Sequence, residues 1–218
     1  MTDQVASTLE FAIPDYTTPV SRDDVLATAA ALKARGINVI IVDSAAEAHE
    51  KINELIPAGA SIMTGGSKTL QEIGLEARLM AKDHPWVNLK DEILAETDPA
   101  KQMQLRASSI LAPYFLGSVH AISKTGEVVI ASGSGSQIPS YAYSSRNVIW
   151  VAGAQKIVPT LEDALRRVRE YALPKEDERQ KSLGRPGSMI TKILIVEHEP
   201  AMMGRNLTLI LVNDAVGV

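Results

Sequence analysis

Short apolar runs alternate with capped amphipathic segments along the first 155 residues, and that rhythm restricts the fold more than any other feature. Ser21, three residues before Asp24, opens a helix whose Val25, Leu26, Ala29 and Leu32 share one face, and Gly36 ends it. The apolar run Ile37–Val42 reads as a buried strand. Ser44 and Glu47 make a second capping box ahead of Ala48, Ile52 and Leu55, and Pro57 with Gly59 stops that helix. Ala60–Met63 is the next strand and Thr69–Leu79 the next helix. Units of this kind build a mostly parallel sheet with helices packed on its faces.

The rhythm then loosens. Lys82–Thr97 has mixed polarity, with a short strand around Val87–Leu89. Asp98 caps a helix with Pro99 at its first position, running to about Leu111. Tyr114–Ser123 and Glu127–Ala131 are strands separated by Lys124-Thr125-Gly126, a gap that predicts an antiparallel hairpin within the parallel pattern. Asn147–Ala152 is another buried strand, and Thr160 caps a helix carrying Leu161, Ala164, Leu165, Val168 and Ala172 on one side. Six of the seven residues Lys175–Lys181 are charged and Gly184–Ser188 follows, which predicts an exposed polar connection near 175–188. Met189–Val196 and Asn206–Val212 supply two last strands. Without an internal repeat, the expectation is one α/β domain over residues 1–218.

Composition excludes several chemistries. The absence of cysteine rules out disulfides, thiolate zinc sites, cysteine nucleophiles and cysteine-ligated iron–sulfur clusters. A net charge of −4 and only nine aromatic residues argue against a nucleic-acid surface. No stretch approaches the roughly 18 apolar residues of a membrane span. Met1-Thr2-Asp3-Gln4 lacks the basic and apolar regions of a signal peptide, so the expected compartment is the cytoplasm. His198-Glu199 could contribute to a metal site, but no further ligands accompany it, and neither metal nor cofactor is expected.

Four features bear on a ligand site. Thr64-Gly65-Gly66-Ser67-Lys68-Thr69 joins a strand to a helix, where free backbone N–H groups and Ser67, Lys68 and Thr69 can receive an anion. It is not a Walker A loop, because Ser67 separates Gly66 from Lys68. Ser132-Gly133-Ser134-Gly135-Ser136-Gln137 follows the Glu127–Ala131 strand and offers an accessible backbone with many donors, but lacks the third glycine of a dinucleotide fingerprint. Lys156 follows a buried strand, where open α/β sheets place their ligands. Strand alternation places His120 on the face shared by Ser118 and Ile122. A tight turn, a flexible loop, a solvated surface lysine and a buried histidine are the structural alternatives.

Taken together, three blocks resemble one family. They are Gly65–Leu75, with its Thr69-Leu70-Gln71-Glu72-Ile73-Gly74 core; Leu116–Glu127, followed by the Gly133–Gln137 loop; and Val148–Val158. The chain resembles the LUD (lactate utilisation) domain family over roughly Val25–Val212. The resemblance implies a three-layer α/β/α fold of the kind seen in ribose-5-phosphate isomerase, glucosamine-6-phosphate deaminase and CoA-transferases. It also implies a bacterial or archaeal cytoplasmic protein linked to oxidation of L-lactate to pyruvate, beside iron–sulfur partner subunits. A chain without cysteine matches the cluster-free component of such a system. Two departures stand out: relatives often carry Asn where His120 stands, and a more charged loop at Ala131–Gln137.

The expected function is therefore an accessory component binding a small organic anion or a partner protein, with a homo-oligomer left open. The alternative is a free-standing enzyme on a sugar phosphate or CoA thioester. In that case Glu72, Lys68 and His120 are the candidate catalytic groups. Thr64, Gly65, Gly66, Ser67, Thr69, Gly133, Ser134, Gly135, Ser136, Gln137 and Lys156 are the candidate ligand-binding residues.

Overall fold

The computed structural model describes residues 14–218, so the reading of Met1–Gln4 lies outside the described residues. In chain order the regular elements are α1 (Arg22–Ala34), β1 (Asn38–Val42), α2 (Ala45–Leu55), β2 (Ser61–Thr64), α3 (Lys68–Glu72) and α4 (Leu75–Met80). Then come β3 (Val87–Asn88), α5 (Leu89–Ala95), α6 (Pro99–Ser108), β4 (Tyr114–Ser118), β5 (Ala121–Ser123) and β6 (Val128–Ser132). The chain closes with β7 (Asn147–Gly153), β8 (Ile157–Val158), α7 (Leu161–Arg167), α8 (Leu173–Ser182), β9 (Lys192–Val196) and β10 (Asn206–Val212).

Six strands form a wholly parallel sheet in the order β1-β10-β7-β4-β2-β3. The central strands are apolar on both faces because both faces are covered. Period-two alternation sends Val148, Trp150 and Ala152 to one side, with Leu207, Leu209 and Leu211. Ile149, Val151, Ile210 and Val212 go to the other side, beneath Ala48 and Ile52 of α2 and Leu70 and Leu75 of α3 and α4. Val25 and Leu32 of α1 pack on the first side. The result is a mixed α/β architecture with a mostly parallel central sheet flanked by helices, as the sequence led us to expect.

The expected hairpin forms, but in a second sheet. β5 and β6 pair antiparallel, and the order of that smaller sheet is β8-β5-β6-β9. Ile122, Val128 and Ile130 pack into the core that α1 shares with the large sheet. Ala121, Val129 and Ala131 face α7. The single strand expected over Tyr114–Ser123 is thus two: the chain leaves the large sheet after Ser118 and enters the small one at Ala121. Alternation alone could not show this, because both sheets demand the same pattern from their strands.

Three other expectations change. The helix expected over Thr69–Leu79 breaks into α3 and α4 at Gly74, whose φ of +80° is left-handed. Within the mixed stretch Lys82–Thr97, Asn88 caps the unexpected helix α5 by accepting from the Lys90 N–H. The charged run at 175–188 is not irregular: Lys175–Ser182 lies in α8. Its charges pair along the helix, Glu176 with Arg179 at 2.7 Å and Asp177 with Lys181 at 2.6 Å. α7 runs into α8 through a π turn at Val168–Ala172, where the Leu173 N–H donates to the Val168 carbonyl. Pro174 lacks an N–H and crowds the carbonyl four residues back, which the wider turn relieves.

Gly117 in β4 is a packing requirement. A Cβ there would stand 1.7 Å from Oη of Tyr141. That ring cannot retreat, because Phe115 and Trp150 hold it edge-on at 5.3 and 5.6 Å. Gly117→Ala is expected to lower the unfolding free energy by about 1–3 kcal/mol in urea melts. Gly66→Ala, whose Cβ would meet nothing within 4 Å, should change it by less than about 0.5 kcal/mol.

Candidate functional site

The carboxyl ends of β2, β4, β7 and β10 reach one edge of the large sheet, and β6 ends beside them. A parallel sheet collects its following loops there. Between them lies a cavity of about 540 Å³. Gly65, Gly66, Ser67, Lys68 and Thr69 line it from the loop after β2. Gly133, Ser134, Ser136 and Gln137 line it from the loop after β6, and Lys156 and His120 from the wall between. The residues singled out in the sequence therefore surround one space. Two π turns flank it, contributing Tyr141 on one side and Val168 and Ala172 on the other. α8 and the turn behind it complete the lining with Glu176, Gln180, Arg185 and Ser188.

Three expected residues stand outside the wall. Thr64 is buried in β2, and its hydroxyl accepts from Lys90 at 3.4 Å. Gly135 turns the loop at φ +84° beneath the Lys192 side chain. Glu72, expected to do acid–base work, instead pairs with Lys68 at 3.4 Å and accepts the Gly217 N–H at 2.5 Å. Its position gives that role no support. His49 and His84, read as surface residues, are half-buried. Nδ1 of His49 lies 2.9 Å from the Ile73 carbonyl, and His84 stacks on Trp86 at 5.6 Å.

Lys156 is the centre of the site's electrostatics. It is 2% exposed, and Nζ donates to Thr69 Oγ1 at 2.9 Å, Ser118 Oγ at 3.0 Å and the Val119 carbonyl at 3.2 Å. None of these acceptors is a carboxylate. Burial pushes the ammonium down to about 7, the Arg167 charge adds to the shift, and Glu72 opposes it. Arg167, fully buried in α7, is likewise without an acidic partner among the described residues. It donates to the His120 and Tyr16 carbonyls and lies 5.1 Å from the Tyr171 ring. Its Nε has no acceptor among the described residues. Sequence reasoning missed Arg167, since nothing distinguishes one arginine on a helix with several.

His120 is held neutral. Its Nδ1 accepts the Ala131 N–H at 3.2 Å; an amide can only donate, so the ring proton sits on Nε2. Burial lowers its pKa to about 4, with the charges of Lys156 and Arg167 adding and Glu176 opposing. In α8, Glu176 accepts from Nε and Nη2 of Arg179 at 2.7 Å and from Gln180 at 2.5 Å. The buried side-chain charge next to the cavity is thus cationic, and the one side-chain carboxylate on the wall among the described residues, Glu176, is already paired.

Gly65 and Gly66 have φ values open to any residue, and a Cβ on Gly66 would meet nothing within 4 Å. The fold does not require glycine at either position. Among the described residues, no three His, Asp or Glu side chains cluster as metal ligands, and Glu199 is held by Arg205 at 2.9 Å. No helix among them is long and apolar enough to cross a membrane.

Fold and cavity together define an α/β protein whose parallel central sheet gathers polar loops around one cleft at its carboxyl edge. The chain belongs to the LUD domain family, whose model matches residues 26–212. A crystal structure of a DUF162 family protein from Deinococcus radiodurans shares the fold, with a TM-score of 0.52 at 15% identity. That match covers 89% of this chain and 100% of the other. eIF2B beta from Chaetomium thermophilum aligns over 55% of this chain and 44% of its own, at 13% identity and a TM-score of 0.39. Comparison with curated proteins gives no match.

The histidine's low pKa contributes to the acid behaviour, alongside the carboxylates that ion pairs and hydrogen bonds hold low. Between pH 6.5 and about 4 the unfolded chain binds a proton at His120 that the folded chain refuses, so stability falls as pH drops through that window. The loss from this group reaches at most about 3 kcal/mol. Denaturant midpoints measured from pH 7 to pH 4 should decline less steeply in His120→Gln than in the parent protein.

Proposed function

We propose that the cavity binds a small organic anion and that the chain serves as the cluster-free accessory component of a lactate-utilisation system. On this reading it works beside iron–sulfur subunits in the cytoplasm of a bacterium or archaeon. The observation that carries the anion reading is Lys156: a buried cation on the cavity wall whose hydrogen bonds all go to neutral oxygens. An isolated buried charge is costly, and an incoming carboxylate or phosphate supplies what the protein withholds. The uncrowded Gly65 and Gly66 leave the main chain open to close approach, and Arg185 adds positive charge at the rim, beside the Lys68–Glu72 pair. Family membership, together with a chain free of cysteine, supports the lactate link.

A second reading has its own support. The cavity, at about 540 Å³, falls among sites that enclose ligands much larger than a three-carbon acid. That favours a phosphorylated sugar or a CoA thioester, acted on by the chain alone.

A melting-temperature screen against lactate, pyruvate, sugar phosphates and CoA separates the two. A ligand at 100 times its dissociation constant should add about 2.7 kcal/mol. Binding should tighten as pH falls through about 7, because an anion favours the ammonium form of Lys156 and draws in a proton. Gly66→Val should weaken the binding at least tenfold, about 1.4 kcal/mol, while leaving stability nearly unchanged. Co-purification of iron–sulfur proteins from the native host would support the accessory role. Failure of every anion to stabilise the protein would refute the anion reading.

A further inference from the structure

Ser118 and Lys156 do more than line the cavity. Ser118 stands at the carboxyl end of β4, at the seam where the chain passes from one sheet to the other, and its hydroxyl is half-buried in the cavity wall. Lys156 Nζ lies 3.0 Å from Ser118 Oγ and 2.9 Å from Thr69 Oγ1, and the two hydroxyl oxygens lie 3.0 Å apart. The three groups form a closed triangle. With a neutral amine, Nζ donates to Thr69 Oγ1, Thr69 donates to Ser118 Oγ, and Ser118 donates to the amine's lone pair. The second N–H goes to the Val119 carbonyl at 3.2 Å. Every donor in the ring has an acceptor, and each bond polarises the next.

We infer that this triangle is a serine–lysine acyl-transfer centre, with Ser118 the nucleophile, Lys156 its general base and Thr69 a positioning residue. Serine–lysine pairs are an established variant of the serine–histidine arrangement. The amine must be free to accept a proton near neutral pH, and Lys156 meets that condition with a pKa of about 7. The substrate class is an anionic ester or thioester, its charge held by the loop after β2 and its acyl carbon at the cavity floor. This goes beyond an accessory role and depends on neither the lactate link nor a partner; the anionic character of the substrate rests on the anion reading, the serine–lysine centre does not.

The step balances without any further reactant than water. Ser118 Oγ bonds to the acyl carbon as its proton passes to Lys156 Nζ; the bond to the leaving oxygen or sulfur breaks, and that atom takes the proton from the ammonium. Water then adds to the acyl carbon of the serine ester, giving one proton to Lys156, which returns it to Ser118 Oγ as the carboxylic acid departs. The Nε2–H of His120, on the same wall and without an acceptor among the described residues, is a donor of the kind a developing oxyanion needs.

A neutral alkyl fluorophosphonate tests the centre independently of anion binding. Its reaction joins phosphorus to Oγ and releases fluoride, so peptide mass spectrometry reads the modified residue directly. We expect one adduct per chain on Ser118, formed at a rate that rises with pH around a midpoint near 7. Ser118→Ala should abolish it and Lys156→Met should slow it about 100-fold or more. Thr69→Val removes an acceptor that favours the ammonium, so the midpoint should move to lower pH. An unmodified Ser118 in the folded parent protein, or a rate flat in pH, would overturn the inference. The parent profile decides even if Lys156→Met does not fold. Labelling without anion binding would sink the anion proposal and the anionic substrate class but leave the serine–lysine centre standing; anion binding without labelling would sink the centre alone.

Discussion

The lysine ammonium buried among three neutral oxygens is the interaction on which the rest of the site depends. Its acceptors come from three separate places: Thr69 in α3, Ser118 at the end of β4, and the Val119 carbonyl between the two sheets. Removing one partner from such a group leaves the others buried and unpaired, which is why clusters of this kind fix the geometry around them. Here the cluster ties the loop after β2 to the crossing between sheets. It thereby sets the floor of the cavity.

The same cluster explains the field inside the cavity. Lys156 and Arg167 are both buried, and the charge of Arg167 contributes to lowering the pKa values of Lys156 and His120. Glu176, the side-chain carboxylate on the wall among the described residues, is committed to Arg179 and Gln180 within its own helix. A ligand entering this space meets positive potential in surroundings that screen it poorly. The molecule is net acidic at −4, so the local field runs against the global charge.

Much of this was legible before any coordinates. Caps at Ser21, Ser44, Asp98 and Thr160 bond as their spacing predicts, since capping is local and its partners lie within three residues. Strand ends followed by small residues at Gly65 and Gly133 marked the edge where the cavity lies. What remained hidden was decided at a distance. The break at Ser118 depends on which sheet receives the chain, and period-two alternation is the same for both. The helical state of Lys175–Ser182 rests on ion pairs between successive turns and on continuity from α7; a run of charges read alone looks like a solvated loop. Arg167 could not be picked out because its isolation arises from packing against Tyr16 and Tyr171.

A direct titration of the Lys156 side chain by NMR, with lysine labelled at Cε and Nζ, tests the central claim that this cation is buried without a carboxylate. The account predicts a midpoint near 7 in the ligand-free protein, far below the ordinary lysine value of 10.5. It also predicts an upward move of that midpoint when an anion fills the cavity. A midpoint near 10.5 in the free protein would contradict it, because Lys156 would then be either solvated or already paired.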